Sequence, residues 1–128
     1  MEYYLTKFVD IDFNKAIDKI TALLKEQGFG VITEIDVKDT LKKKINVDFR
    51  NYKILGACHP GFAHKALEVE DKLGVLLPCN VIVQEHKDGK VEISAIDPRV
   101  MMAGIKNQAL ETLSTDVFER FAKVFESL

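Results

Sequence analysis

Asp88-Gly89 stands between two runs of strand character, residues 80–86 and 90–96, and this dipeptide restricts the fold more than any other feature of the chain. A type I′ turn needs positive φ at both central positions, which Asp-Gly tolerates, and it joins strands that lie side by side and antiparallel. Counting back from a two-residue turn places Ile82, Gln84 and His86 on the face of Val91, Ile93 and Ala95, and sets Glu85 opposite Glu92. Like charges facing each other are mildly destabilising, so the face of that pair is expected in water.

The remaining segments are read by the period of their apolar residues. Residues 3–9 are aromatic and β-branched and read as a first strand. Phe13, Ala16, Ile17, Ile20, Leu23 and Leu24 then recur at helical spacing behind Asp12, a side chain able to cap a helix start, and Gly28 ends the helix. From Phe29 the period becomes two, with Phe29, Val31, Thr33, Ile35 and Val37 expected on one side of a half-buried strand. Asp39 is expected to cap a short helix through Lys44 with its lysines in water. Residues 51–58 form the third strand, and Pro60 suits the first turn of a helix reaching about Asp71.

Asp97-Pro98 stops the last strand and can start a helical turn. Leu110, Leu113, Val117, Phe118, Phe121, Val124, Phe125 and Leu128 mark a long amphipathic helix, with Ser114 or Thr115 as an alternative cap for a second one. The order β-α-β-β-α-β-β-α predicts a single α+β domain over residues 1–128, with a mostly antiparallel five-stranded sheet and helices on one face.

Composition narrows the function classes. The 128 residues are 47% hydrophobic and 30% charged, as in an ordinary globular domain, and 18 basic against 20 acidic side chains leave no broad positive surface for nucleic acid. The opening MEYYLTKFVD lacks a basic segment followed by an apolar one, and no run approaches about 18 uninterrupted apolar residues. A cytoplasmic protein without a membrane partner is expected.

Both cysteines, two of the three histidines and two of the three prolines fall within residues 52–81. If the third and fourth strands were parallel, Cys58 and Cys79 would lie at opposite ends of the sheet; if antiparallel, at the same end. The antiparallel arrangement is preferred, since the neighbouring hairpin is antiparallel, and it brings Cys58, His59 and Cys79 together with Asn80 nearby. These four are the candidate ligand-binding residues, and Cys58, His59 and Cys79 the candidate metal ligands, a soft set suited to zinc or copper. A rival reading makes Cys58 a reactive thiol beside His59 at a helix start, with Cys79 as resolving partner. The plainest makes both cysteines small buried hydrophobes. His64 is expected in solvent and His86 at a strand end. No GxSxG elbow, phosphate loop, GxGxxG, HExxH or CxxC occurs, and no cofactor is indicated.

At Gly56-Ala57-Cys58, Pro60, Lys65-Ala66-Leu67-Glu68, Leu76-Leu77-Pro78-Cys79-Asn80-Val81 and Asp97-Pro98 the chain resembles the domain-of-unknown-function family 302. The resemblance covers nearly the whole chain. It implies a TATA-binding-protein-like α+β fold and a homodimer, and it implies no activity. The chain departs from the family at His59, where asparagine is commoner; the histidine either replaces the asparagine as a donor or introduces a ligand of its own. The function expected from these readings is a homodimeric module that binds or senses a small molecule or metal near Cys58 and Cys79. The alternatives are a thiol-based redox protein and a structural or interaction domain.

Overall fold

A computed structural model describes residues 2–128. Five strands, β1 (Tyr4–Val9), β2 (Gly30–Asp36), β3 (Tyr52–Cys58), β4 (Cys79–Glu85) and β5 (Val91–Ile96), form one sheet in the order β1-β5-β4-β3-β2, and every neighbouring pair is antiparallel. The helices are α1 (Phe13–Glu26), α2 (Val37–Ile45), α3 (Pro60–Val69), α4 (Pro98–Met101) and α5 (Gln108–Glu126). The predicted α+β class and the antiparallel choice for β3 and β4 both hold.

The helix boundaries follow their caps. Asp12 accepts from the Lys15 amide at 2.8 Å and starts α1, while Gly28, at φ 88°, turns the chain out of it. Asp36, not Asp39, caps α2, because its carboxylate reaches the Asp39 amide at 2.9 Å and the helix begins earlier than expected. α3 stops at Val69, close to the end expected near Asp71, and Glu70 caps a separate 3-10 turn, Asp71–Leu76. α5 runs unbroken through Ser114 and Thr115. Their hydroxyls donate back to the Glu111 carbonyl at 2.9 and 3.0 Å, which keeps them inside the helix instead of starting another.

The hairpin differs from expectation by one residue. The Gly89 amide donates to the His86 carbonyl at 2.9 Å and the His86 amide to the Lys90 carbonyl at 2.8 Å, so the loop is the three residues 87–89. Gly89 alone takes positive φ, at 84°, the arrangement of a turn closed by a glycine bulge. Glu85 therefore faces Val91, and Gln84 faces Glu92. Every side chain of β4 exchanges faces relative to the two-residue reading, since strand side chains alternate. Val81 and Val83, not Ile82 and Gln84, share the face of Val91, Ile93 and Ala95.

That face is the core. Ala16, Ile20 and Leu24 of α1 and Val117, Phe121, Val124 and Phe125 of α5 pack onto Leu55, Val81, Val83, Val91 and Ile93. A second, smaller cluster joins Ala66 of α3, Leu73 of the 3-10 turn, Met102 after α4 and Leu110 of α5. Asp97 supports it from beside the sheet: its buried carboxylate accepts from the Arg99 amide at 3.0 Å and from Nη2 at 2.8 Å. The Arg99 guanidinium in turn lies 3.5 Å from the Phe118 ring centre, which pins α4 to α5. No described helix is long and apolar enough to cross a membrane.

β2 is an edge strand with a bulge. Val31 pairs with Ala57 and Thr33 with Gly56, so Ile32 is the extra residue and the expected alternation from Phe29 to Val37 breaks there. α2, which follows, buries none of its residues, and the lysines at 42, 43 and 44 are exposed as expected.

Candidate functional site

The space between the two hydrophobic clusters forms a cavity of about 340 Å³. Its walls come from the ends of β3 and β4, from α3 and the 3-10 turn, and from the first half of α5. The elements meet here through small side chains: Ala57, Ala63, Ala66, Gly74 and Ser114. Short residues on facing elements leave the volume between them unfilled, and Phe29, Phe62, Met102 and Leu110 supply the remaining apolar wall. The bulge turns Ile32 toward the same cavity.

Cys58, His59 and Cys79 all line this cavity. The antiparallel pairing of β3 with β4 is the cause, because it sets Ala57 opposite Cys79 and leaves Cys58 one step further along at the same end of the sheet. Both thiols are free and half-buried. Burial first, and the neighbouring Cys58 second, push the Cys79 thiol up to about 11. At that value only about one part in ten thousand is thiolate at pH 7. Cys79 is thus a poor nucleophile in this environment, since the thiolate is the attacking form.

His59 has a defined task. Its Nδ1 accepts from the Phe62 amide at 3.3 Å, which makes the imidazole the N-cap of α3. In the cap the ring serves as an acceptor and not as the expected donor. The ring is wedged edge-on to Phe29, with centres 5.4 Å apart, and tilted against Phe62 at 4.3 Å. A side-chain carbon on Gly28 would come within 2.7 Å of His59 Nε2, so glycine there serves both the positive φ and the close approach of the ring. Burial first, then the Arg120 guanidinium, hold the imidazole below its ordinary pKa, which favours the neutral ring that the cap requires.

Asn80 is not brought to this cavity. It alternates to the other face of β4, opposite Gly56, and lines a cleft with Tyr52 and Ile82 there. His64 is exposed and pairs with Glu68 at 3.2 Å on the outer side of α3. Among the described residues no group of three or more histidine, cysteine, aspartate or glutamate side chains is placed to hold a metal ion. The cavity residues that sequence reasoning missed, Phe29, Ala63, Ala66, Met102 and Ser114, carry no signal beyond being small or apolar at helix and strand positions.

The arrangement can exclude water and hold an apolar group. Two of its polar atoms are already engaged: Ser114 Oγ donates to the Glu111 carbonyl and His59 Nδ1 accepts from the Phe62 amide. No described buried side-chain nitrogen or oxygen lacks a hydrogen-bond partner.

Comparison with known proteins agrees with this fold. The crystal structure of the uncharacterized conserved protein DUF302 from Bacillus stearothermophilus is similar to the chain with a TM-score of 0.90 and 27% identity, covering 98% of each. No curated protein matches the sequence. The family model described as Domain of unknown function DUF302 matches residues 5–128, which takes in all of the strands and helices described above but Tyr4, the first residue of β1, and the chain belongs to that family.

Proposed function

We propose that the protein is a binding module that takes a small, predominantly apolar molecule into the cavity between its two hydrophobic clusters, with Cys58 and Cys79 as soft contacts on the wall. The observation that carries this reading is the cavity itself: about 340 Å³, bounded by Phe29, Phe62, Met102 and Leu110, with the Ser114 hydroxyl and His59 Nδ1 bonded within the protein. A ligand there gains by dispersion and by leaving water, not by new hydrogen bonds. Metal binding by Cys58, His59 and Cys79 draws less support, because the His59 Nδ1 lone pair is used by the helix cap.

A neutral fluorescent probe, N-phenyl-1-naphthylamine, tests the reading. Saturable enhancement near one equivalent is expected for the wild type, and filling the cavity with Ala63→Phe or, separately, Cys58→Leu should weaken it at least about tenfold, a difference of ~1.4 kcal/mol. Circular dichroism establishes that each variant is folded. Equal binding by both folded variants, or none by the wild type, would remove the proposal.

A further inference from the structure

The sheet has a second face, and no helix of the main core packs on it. Tyr52, Asn80, Ile82, Gln84, Glu92 and Ser94 point to this side, and Tyr3 and Tyr4 add a wall, enclosing a cleft of about 440 Å³. The cleft is separate from the apolar cavity, and polar and apolar groups line it in similar measure.

Its floor is an ordered polar network centred on Glu92. Thr6 Oγ1 donates to Glu92 Oε2 at 2.6 Å, and since that hydroxyl has one proton, Ser94 Oγ, 2.7 Å away, donates to Thr6. Glu92 Oε1 meets His86 Nε2 at 2.9 Å and Gln84 Nε2 at 3.5 Å. Two carboxylate oxygens offer about four lone-pair positions, so acceptor capacity remains on Oε2. Among the described residues no lysine or arginine pairs with Glu92.

Burial alone would raise the Glu92 pKa, but the bonds from Thr6 and His86 outweigh it and hold the carboxyl below its ordinary value. A carboxylate thus kept charged lies among three tyrosines. Tyr3 and Tyr4 meet edge to face with centres 5.0 Å apart, and Tyr52 stands across the cleft. The chain already lays one cation against this wall: the Arg50 guanidinium is 4.4 Å from the Phe49 ring centre and 5.5 Å from that of Tyr52, and Arg50 Nε donates to Gln84 Oε1 at 3.0 Å.

We infer that this cleft is a binding site for a small organic ammonium ion, held between the faces of Tyr3, Tyr4 and Tyr52 with Glu92 as counter-charge. Electron-rich rings attract a cation by their quadrupole, and a carboxylate at the floor selects a charged ligand over a neutral one of the same shape. Asn80 and Gln84 add amide groups at the margin of the same cleft.

The experiment is an NMR titration of 15N-labelled protein with choline and, in parallel, with 3,3-dimethylbutan-1-ol, in which carbon replaces the charged nitrogen. Saturable shifts at Tyr3, Tyr52 and Glu92 are expected with choline in the millimolar range. The neutral alcohol should bind at least about tenfold more weakly, and Glu92→Gln and Tyr3→Ala should each cost about three- to tenfold. Tyr3 is 63% exposed, so its replacement leaves the core intact. Equal shifts with the alcohol would overturn the inference, as would shifts confined to the cavity under α3 and α5. So would no saturation by about 50 mM, an affinity too weak to be a site. Concentration-dependent broadening at the three tyrosines without ligand would assign the face to a second copy of the chain instead, and would also overturn it.

Discussion

On the helix side of β4 and β5, Val81, Val83, Val91 and Ile93 are at most 2% exposed and belong to the main apolar cluster. One residue along on the same strands, Gln84, Glu92 and Ser94 face the open side and are tied by hydrogen bonds to Thr6 and His86. The backbone is common to both faces, so the contrast comes from alternation and from the loop that sets its phase. Had the hairpin closed on two residues, Gln84 would have been driven against α1 and α5 without partners, and burying such an amide costs roughly 1–3 kcal/mol by protein mutational data. The three-residue loop is what lets one pair of strands be dry on one side and polar on the other.

Three substitutions test that contrast. Phe121→Ala removes the largest fully buried side chain beneath the helix-side face and should destabilise the protein by ~3–5 kcal/mol, read as a lower midpoint in urea with little change in slope. Retention of the wild-type midpoint would show that the helix side is not the principal core. Gly89→Ala forces a side chain into the left-handed region and should cost about 1–2 kcal/mol. The backbone resonances of residues 84–93 should shift while those of α1 stay in place, and unchanged stability would mean the glycine does not set the register.

Glu92→Gln should have the smallest effect, about 0.5–1 kcal/mol at pH 7, because water reaches this face. Its pH dependence is more telling. The folded-state pKa of Glu92 is depressed, so its contribution is complete above the ordinary carboxylate value of about 4.3 and is lost as pH falls through the lower folded value. The variant should therefore lose less stability than the wild type over that acid interval. Parallel acid titrations of the two would contradict the network.

Much of the fold was legible because it rests on local periodicity and capping chemistry. The helical spacing from Phe13 to Leu24, the Asp12 cap, the Asp97-Pro98 start and the strand character of residues 52–58 all depend on neighbours in sequence. The meeting of Cys58 with Cys79 was legible once β3 and β4 were taken as antiparallel. Asn80 was misplaced for a different reason: within β4 it alternates to the face opposite Cys79, where it lies across from Gly56 and lines the other cleft.

The hairpin loop length was not legible, because Lys87-Asp88-Gly89 and Asp88-Gly89 are both good turns and tertiary packing chooses between them. The His59 cap was hidden because imidazole is an uncommon acceptor at that position, and it depends on Gly28 leaving room from the far side of the ring. The cavity itself has no local signature. It arises where short side chains on different elements, Ala57 of β3, Ala63 and Ala66 of α3 and Ser114 of α5, come together.

α5 is shared between both hydrophobic clusters. Leu110 and Leu113 belong with Ala66, Leu73 and Met102, while Val117, Phe121, Val124 and Phe125 are set into the main core. A single helix thus spans two cooperative units, and its amides need not open together: those of the first two turns exchange with solvent when the small cluster loosens, and those of the last three only when the sheet itself comes apart. The boundary between faster and slower exchange is expected within the helix, near Ser114, and not at either of its ends.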